Sequence, residues 1–251
     1  MNIKVAYKQL RITRVICKYK IGDSYGTGFF ISKDGKMLTC FHVVFGQELR
    51  MIKNNPDFIS ISGGDEHSKL LNFYKNKIST LEVELHDGQK KEAELLNFDE
   101  RYDIALLKVK MDRKVDFFKV DTKNNLNYGD DIFFCGYQLT TGYNVSQYPF
   151  TVNSGLVSSF PDVIVGGEKY GHIQINSINL GGNSGAPVFL QGSNKVVAII
   201  NGIMNWNNNN VAIVDDSKGN MNLSKGSIIT PLSIAFATRL KTIKENTNIF
   251  N

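Results

Sequence analysis

Three residues have the types and settings that nucleophilic chemistry at a carbonyl needs. Ser184 lies in the glycine-rich run Asn179-Leu180-Gly181-Gly182-Asn183-Ser184-Gly185-Ala186-Pro187, just ahead of the apolar Val188-Phe189. A serine hydroxyl attacks a carbonyl only when a base removes its proton and N–H donors stabilise the oxyanion. Glycines let backbone N–H groups converge on one point, because they accept positive φ. The same composition also describes a plain turn between strands. His42 sits in the apolar run Met37-Leu38-Thr39-Cys40-Phe41-His42-Val43-Val44, as a packed core imidazole or as the base. Asp103 precedes Ile104-Ala105-Leu106-Leu107 and reads either as a turn cap or as the carboxylate that orients an imidazole. Asp99 competes with it from the adjoining polar turn. His86 belongs to the turn His86-Asp87-Gly88.

The elements that position these residues read as strands. Arg11–Tyr19 is β-branched and roughly alternating. Tyr25–Ser32 and Met37–Val44 flank the turn Lys33-Asp34-Gly35-Lys36 and form a hairpin. Further strands are expected at Leu81–Leu85, Lys91–Leu95, Ile104–Val109, Asp131–Cys135, Phe150–Ser159, Val163–Val165, His172–Ile175, Val188–Leu190, Val196–Ile200 and Ile228–Ile229. Residues 45–77 read as an excursion with a short helix over Lys69–Tyr74, residues 111–127 as a connection between lobes, and Asn207–Asn210 as a loop. Leu232, Ile234, Ala235, Ala237, Leu240 and Ile243 recur at near-helical spacing, so Pro231–Glu245 reads as a C-terminal helix.

Composition narrows the class. At 251 residues the chain can bury a sizeable core in one large all-β unit or two small lobes. The net charge of +5 comes from scattered Lys and Arg without a dense basic run, so nucleic acid is not an expected partner. The first twenty residues are broken by charge every few positions, which argues against a secretion signal or a membrane span. A cytoplasmic location with no membrane partner is expected. Cys17, Cys40 and Cys135 are odd in number and at no metal-ligand spacing, which predicts buried free thiols and no metal site or cofactor.

The order His42, Asp103, Ser184, at spacings of 61 and 81 residues, is the chymotrypsin order. With it, the stretches GTGFFISKDGKMLTCFHVV, LEVELHDGQKKEAELLNFDERYDIALLKV, SGLVSS and GGNSGAPVF followed by VVAII resemble the chymotrypsin-fold serine peptidases. Within these they are similar to the bacterial trypsin-like group of HtrA/Deg-type proteases and glutamyl endopeptidases, protease domain only. The likeness covers the chain except residues 45–77, 111–127 and 205–225.

The resemblance implies an all-β fold of two antiparallel β-barrels with a C-terminal α-helix. Residues 1–120 would form the barrel carrying His42 and Asp103, residues 121–230 the barrel carrying Ser184, and residues 231–251 the helix and tail. It implies a serine endopeptidase acting on protein or peptide substrates. His42 would be the general base, Asp103 its orienting carboxylate and Ser184 the nucleophile, with an oxyanion hole at Gly182, Asn183 and Ser184. The specificity pocket would be lined by Ile178, Asn179, Leu180, Ile200, Asn201, Gly202 and Ile203, with Ile228 and Ile229. That lining holds no acid, and Ile200 stands where glutamyl endopeptidases carry a His, so small or medium apolar side chains are the expected substrates.

Two departures shape the expectation. Asn183 replaces the Asp that, in digestive relatives, pairs with a new N-terminus after zymogen cleavage, and no Ile-Val-Gly-Gly signal is present. Activity independent of N-terminal processing follows. The chain ends shortly after its helix, so a following PDZ-like domain is not expected. A lone intracellular protease endangers its cell, which suggests control by a regulatory protein partner through residues 45–77 and 205–225. The alternatives are an inactive pseudoprotease acting as a scaffold, and a cysteine protease, which a Ser at position 184 argues against.

Overall fold

The computed structural model describes residues 11–19, 22–46, 66–76, 78–142, 145–147, 149–165, 168–215 and 222–250. Its architecture is two closed antiparallel barrels of six strands each. The first contains β1 (Ile12–Tyr19), β2 (Gly22–Phe30), β3 (Lys36–Thr39), β4 (Thr80–Glu84), β5 (Lys90–Asp99) and β6 (Ile104–Val109). They run in the order β1-β2-β3-β6-β5-β4, and pairing of β1 with β4 closes the ring. Closure leaves no strand edge open, while Ile12, Val15, Phe29, Leu38, Val83 and Leu107 fill the inside.

The second barrel contains β7 (Asp131–Tyr137), β10 (Phe150–Ser159), β12 (Glu168–Asn176), β13 (Pro187–Leu190), β14 (Val196–Asp215) and β15 (Asn222–Arg239). Its order is β10-β7-β13-β14-β15-β12, closed between β10 and β12, and β11 (Asp162–Val165) is appended to β12. A separate hairpin joins β8 (Thr140–Gly142) and β9 (Val145–Gln147). The connection between barrels is pinned by Phe118, fully buried between Phe29 of the first barrel (6.3 Å between ring centroids) and Phe189 of the second (5.0 Å). Cys17, Cys40 and Cys135 are buried as reduced thiols, as expected.

Three departures from the sequence reading have physical causes. First, the strand leading to His42 stops at Thr39, and Phe41–Phe45 winds into a one-turn helix, α1. Phe41 and Phe45, one turn apart, pack 4.5 Å from each other and 5.2 and 5.7 Å from Phe98 on β5. This aromatic cluster rewards the helical turn over a continued strand. Second, the C-terminal helix, α3, begins at Leu240 and ends at Asn246. Pro231–Arg239 is instead the second half of β15: Ala235 and Ala237 are buried on one face at strand period, held between β12 and β14. Third, Asn207 and Asn208 pair with Ile229 and Ile228, so the expected loop is a strand. β14 and β15 continue as a two-stranded arm as far as Asp215 opposite Asn222. Pairing outweighs the weak intrinsic strand preference of Asn. In the excursion, α2 runs from Glu66 to Lys75, while 47–65 lie outside the described residues.

Candidate active site

The first barrel contributes a hydrogen-bonded acid and imidazole. Once β3 ends, Cys40 stays extended and α1 begins, closed by the Gly46 N–H donating to the His42 carbonyl at 2.8 Å. Both oxygens of Asp103 engage His42: Oδ1 accepts its backbone N–H at 2.9 Å and Oδ2 lies 2.7 Å from Nδ1. With the Nδ1 proton directed at the carboxylate, Nε2 keeps its lone pair as a proton acceptor. The two side chains are 20% and 12% exposed. Asp103 is the one non-glycine residue with positive φ (52°) among the described residues. That left-handed backbone costs on the order of 1 kcal/mol and aims the carboxylate back across the turn. Asp99 has the other role: its carboxylate accepts the backbone N–H of Arg101 (2.9 Å) and pairs with the Arg101 guanidinium (2.8 Å). It is the turn cap.

The second barrel contributes the serine turn. Gly182 and Gly185 have φ of 93° and 89°, and a Cβ on Gly185 would lie 1.9 Å from the Thr27 carbonyl oxygen, so the turn accepts no side chain there. Thr27 on β2 binds this turn across the barrel boundary. Its N–H donates to the Ser184 carbonyl (2.8 Å) and its hydroxyl to the Gly182 carbonyl (2.8 Å). The same hydroxyl accepts the Tyr137 N–H (2.9 Å), and the Thr39 hydroxyl donates to the Thr27 carbonyl (2.7 Å). From the other side, the Gly185 N–H and the Cys40 thiol both donate to the Ile200 carbonyl, at 2.7 and 3.1 Å.

Asn183 points inward and is fully buried. Its Nδ2 donates to Gln138 Oε1 (2.7 Å) and Asn179 Oδ1 (3.0 Å), and Asn179 Nδ2 donates to the Gly202 carbonyl (3.1 Å). An uncharged amide chain therefore anchors the turn. Among the described residues no backbone carbonyl takes the N–H of Gly182 or Ser184. The two halves meet over Gly26, where a Cβ would fall 2.4 Å from Val43 Cγ2 and 2.9 Å from the Ser184 carbonyl oxygen.

The pocket candidates separate. Ile178 is 62% exposed and Leu180 is half-buried. Gly202 is half-buried, and a Cβ placed on it would come no closer than 3.6 Å to Phe236 Cβ, ordinary van der Waals contact. Ile200 is fully buried in the second core, and Asn179 is buried with its amide engaged as above. Asn201 Nδ2 donates to Thr238 Oγ1 at 2.7 Å. Ile203 pairs with Ala235 through the backbone, and its side chain, like those of Ile228 and Ile229, lies outside the described residues.

Thr27 and Gln138 escaped the sequence reading. The signal for Thr27 was its flanking glycines: a Cβ on Gly26 or Gly28 would meet side chains at 2.4 Å, which marks close approach on both sides of one hydroxyl. Gln138 carried no such signal. Beside the site, burial pushes the Tyr137 phenol up to about 12, with the Glu84 carboxylate adding to the rise and Arg14 opposing it. Cys40, His42 and Asp103 bring potential ligand atoms within 4.8 Å of one another.

Residues 26–199 match the family model of the trypsin-like peptidase domain. The chain belongs to the trypsin-like peptidases. It is 31% identical over 191 residues to a probable periplasmic serine endoprotease, DegP-like, of Bartonella henselae, covering 76% of this chain and 30% of that protein. A protein of the same name from Rhizobium meliloti is 28% identical over 222 residues, covering 88% of this chain and 34% of the relative. Serine protease HTRA1 of Xenopus tropicalis is 26% identical over 178 residues, covering 68% and 30%. The chain thus spans about a third of the length of these relatives. For this trypsin-like peptidase, no helix among the described residues is long and apolar enough to cross a membrane.

Proposed function

We propose that the protein is a serine endopeptidase working through Ser184, His42 and Asp103. The observation that carries this reading is the two-point grip of Asp103 on His42, packed against a serine turn in which, among the described residues, the N–H groups of Gly182 and Ser184 meet no backbone acceptor. His42 Nε2 takes the Ser184 proton as the hydroxyl attacks a peptide carbonyl. The oxyanion is held by the N–H groups of Gly182 and Ser184, with Asn183 in the turn between them. His42 then protonates the leaving amine, an acyl-enzyme remains on Ser184, and a water activated by the same imidazole releases it. Asp103 holds the tautomer and stabilises the imidazolium.

Substrates with small or medium apolar side chains fit best, since residues 178–180, 200–203 and 228–229 include no acid. Ile178, Leu180 and Gly202 are the candidates for contact with them. The neutral anchoring of Asn183 by Gln138 and Asn179 supports activity without N-terminal processing. Control by a protein partner acts, in this reading, through residues 45–77 and 205–225. The periplasmic location in two relatives' names favours an extracytoplasmic site of action, and those names lend no support to the cytoplasmic expectation.

A fluorophosphonate probe tests the assignment. It should label the wild type at Ser184 and fail on Ser184→Ala and His42→Ala. Labelling that survives both substitutions places the reactive hydroxyl elsewhere and overturns the assignment, while a wild type that stays unlabelled leaves the inactive scaffold as the reading. Strong cleavage after Arg or Glu in a peptide library would overturn the apolar pocket.

A further inference from the structure

We propose that Cys40, His42 and Asp103 form a binding site for a soft divalent cation of the Zn²⁺ or Cd²⁺ class, and that its occupation switches off the proposed peptidase. Cys40 has no part in the acyl-transfer chemistry, yet it lies two residues before His42, fully buried, at the junction of β3 and α1. Its thiol, an imidazole nitrogen and a carboxylate oxygen lie within 4.8 Å of one another. A tetrahedral zinc ion, with bonds of about 2.0–2.3 Å, places its ligand atoms about 3.3–3.7 Å apart. The imidazole and carboxylate, now 2.7 Å apart, need to open by roughly half an ångström, and the thiol, within 4.8 Å of both, to close by at most about one.

Charge favours the occupied state. A thiolate, a carboxylate, a neutral imidazole and a divalent cation sum to zero, which avoids leaving a net charge in a buried site. Binding breaks the S–H bond and forms a sulfur–metal bond, and the thiol proton leaves to solvent; the imidazole proton that faced Asp103 moves through water from Nδ1 to Nε2, which frees the Nδ1 lone pair for the ion and keeps the ring neutral. The thiol also gives up its donation to the Ile200 carbonyl. His42 keeps 20% of its side chain exposed, so water can fill the fourth position, and the ion can enter from that side. A metal on the imidazole replaces the bond to Asp103 and removes the base from proton transfer. The ligand set mixes sulfur, nitrogen and oxygen, which selects Zn²⁺ and Cd²⁺ over Mg²⁺ and Ca²⁺.

Inhibition rests on the peptidase reading, whereas binding does not, and the experiment separates them. Titration of the full chain with Co²⁺, as a spectroscopic substitute for Zn²⁺, should give a thiolate-to-cobalt charge-transfer band saturating at one equivalent. The band should vanish in Cys40→Ala and persist in Cys17→Ala and Cys135→Ala. In parallel, Zn²⁺ should inhibit peptide hydrolysis by the wild type, with an inhibition constant about 100-fold or more weaker in Cys40→Ala. No band in the wild type, a band that survives Cys40→Ala, or equal Zn²⁺ inhibition of both proteins overturns the proposal. A Cys40-dependent band in a protein that hydrolyses nothing keeps the site and refutes the peptidase reading. If Cys40→Ala fails to fold, His42→Ala carries the test, and a band of undiminished affinity in that variant is the overturning result.

Discussion

The two barrels hold their halves of the site by opposite means. The first uses charge and strain: a carboxylate on a left-handed backbone grips an imidazole at two points, and three phenylalanines clamp the turns that carry them. The second uses neither. Its serine turn is held by backbone hydrogen bonds, one threonine hydroxyl and a chain of neutral amides. On the proposed mechanism, the difference follows from what each half would do. An imidazole that is to become a cation needs a counter-charge beside it, while a turn that is to receive an oxyanion is weakened by any buried negative charge nearby. Removing charge therefore acts on the first half, and geometry limits the second.

The comparison can be broken at its charged half first. Asp103→Asn should lower turnover about 10⁴-fold with little change in KM, because the carboxamide no longer fixes the tautomer. Asn tolerates left-handed φ, so thermal unfolding should shift less than for Asp103→Ala; equal shifts would show that the backbone at 103 carries no strain. On the neutral half, Gly185→Ala drives a Cβ into the Thr27 carbonyl, and denaturant titration should show a loss of about 3 kcal/mol. Thr27→Val keeps shape but removes the hydroxyl's bonds to the Gly182 carbonyl and Tyr137 N–H. About 2 kcal/mol of stability should go, and kcat should fall by more than KM rises.

The smallest effect concerns Tyr137, at the barrel boundary. Its phenol is raised from 10.0 to about 12 in the folded chain, so between those pH values the unfolded chain loses a proton that the folded chain keeps. Stability should fall as pH rises through that window, and Tyr137→Phe should flatten the fall in pH-dependent melting. An unchanged slope would assign the alkaline loss to other groups.

The chain order His42, Asp103, Ser184, the glycine turn and most strand positions were legible from residue types, because hydrophobic alternation and turn residues are local signals. Strands were misread where local signals conflict with pairing. Pro231–Arg239 has helix-like spacing, yet β12 and β14 flank it on both sides, and backbone pairing at both edges decides its state.

Residue context favoured Asp103 over Asp99, which lies in the polar turn, but it could not show what either carboxylate meets. Only the backbone turn aims one carboxylate at Arg101 and the other at His42. The inward course of Asn179 and Ile200, the bridging role of Thr27 and the proximity of Cys40 to His42 and Asp103 likewise depend on contacts between residues far apart in sequence. The sequence by itself determined which groups can do chemistry and the strands that carry them, because side-chain type and strand period are written residue by residue. The closing of two barrels against each other decided which of those groups meet, because hydrogen bonds and ligand distances form between elements that no local pattern relates.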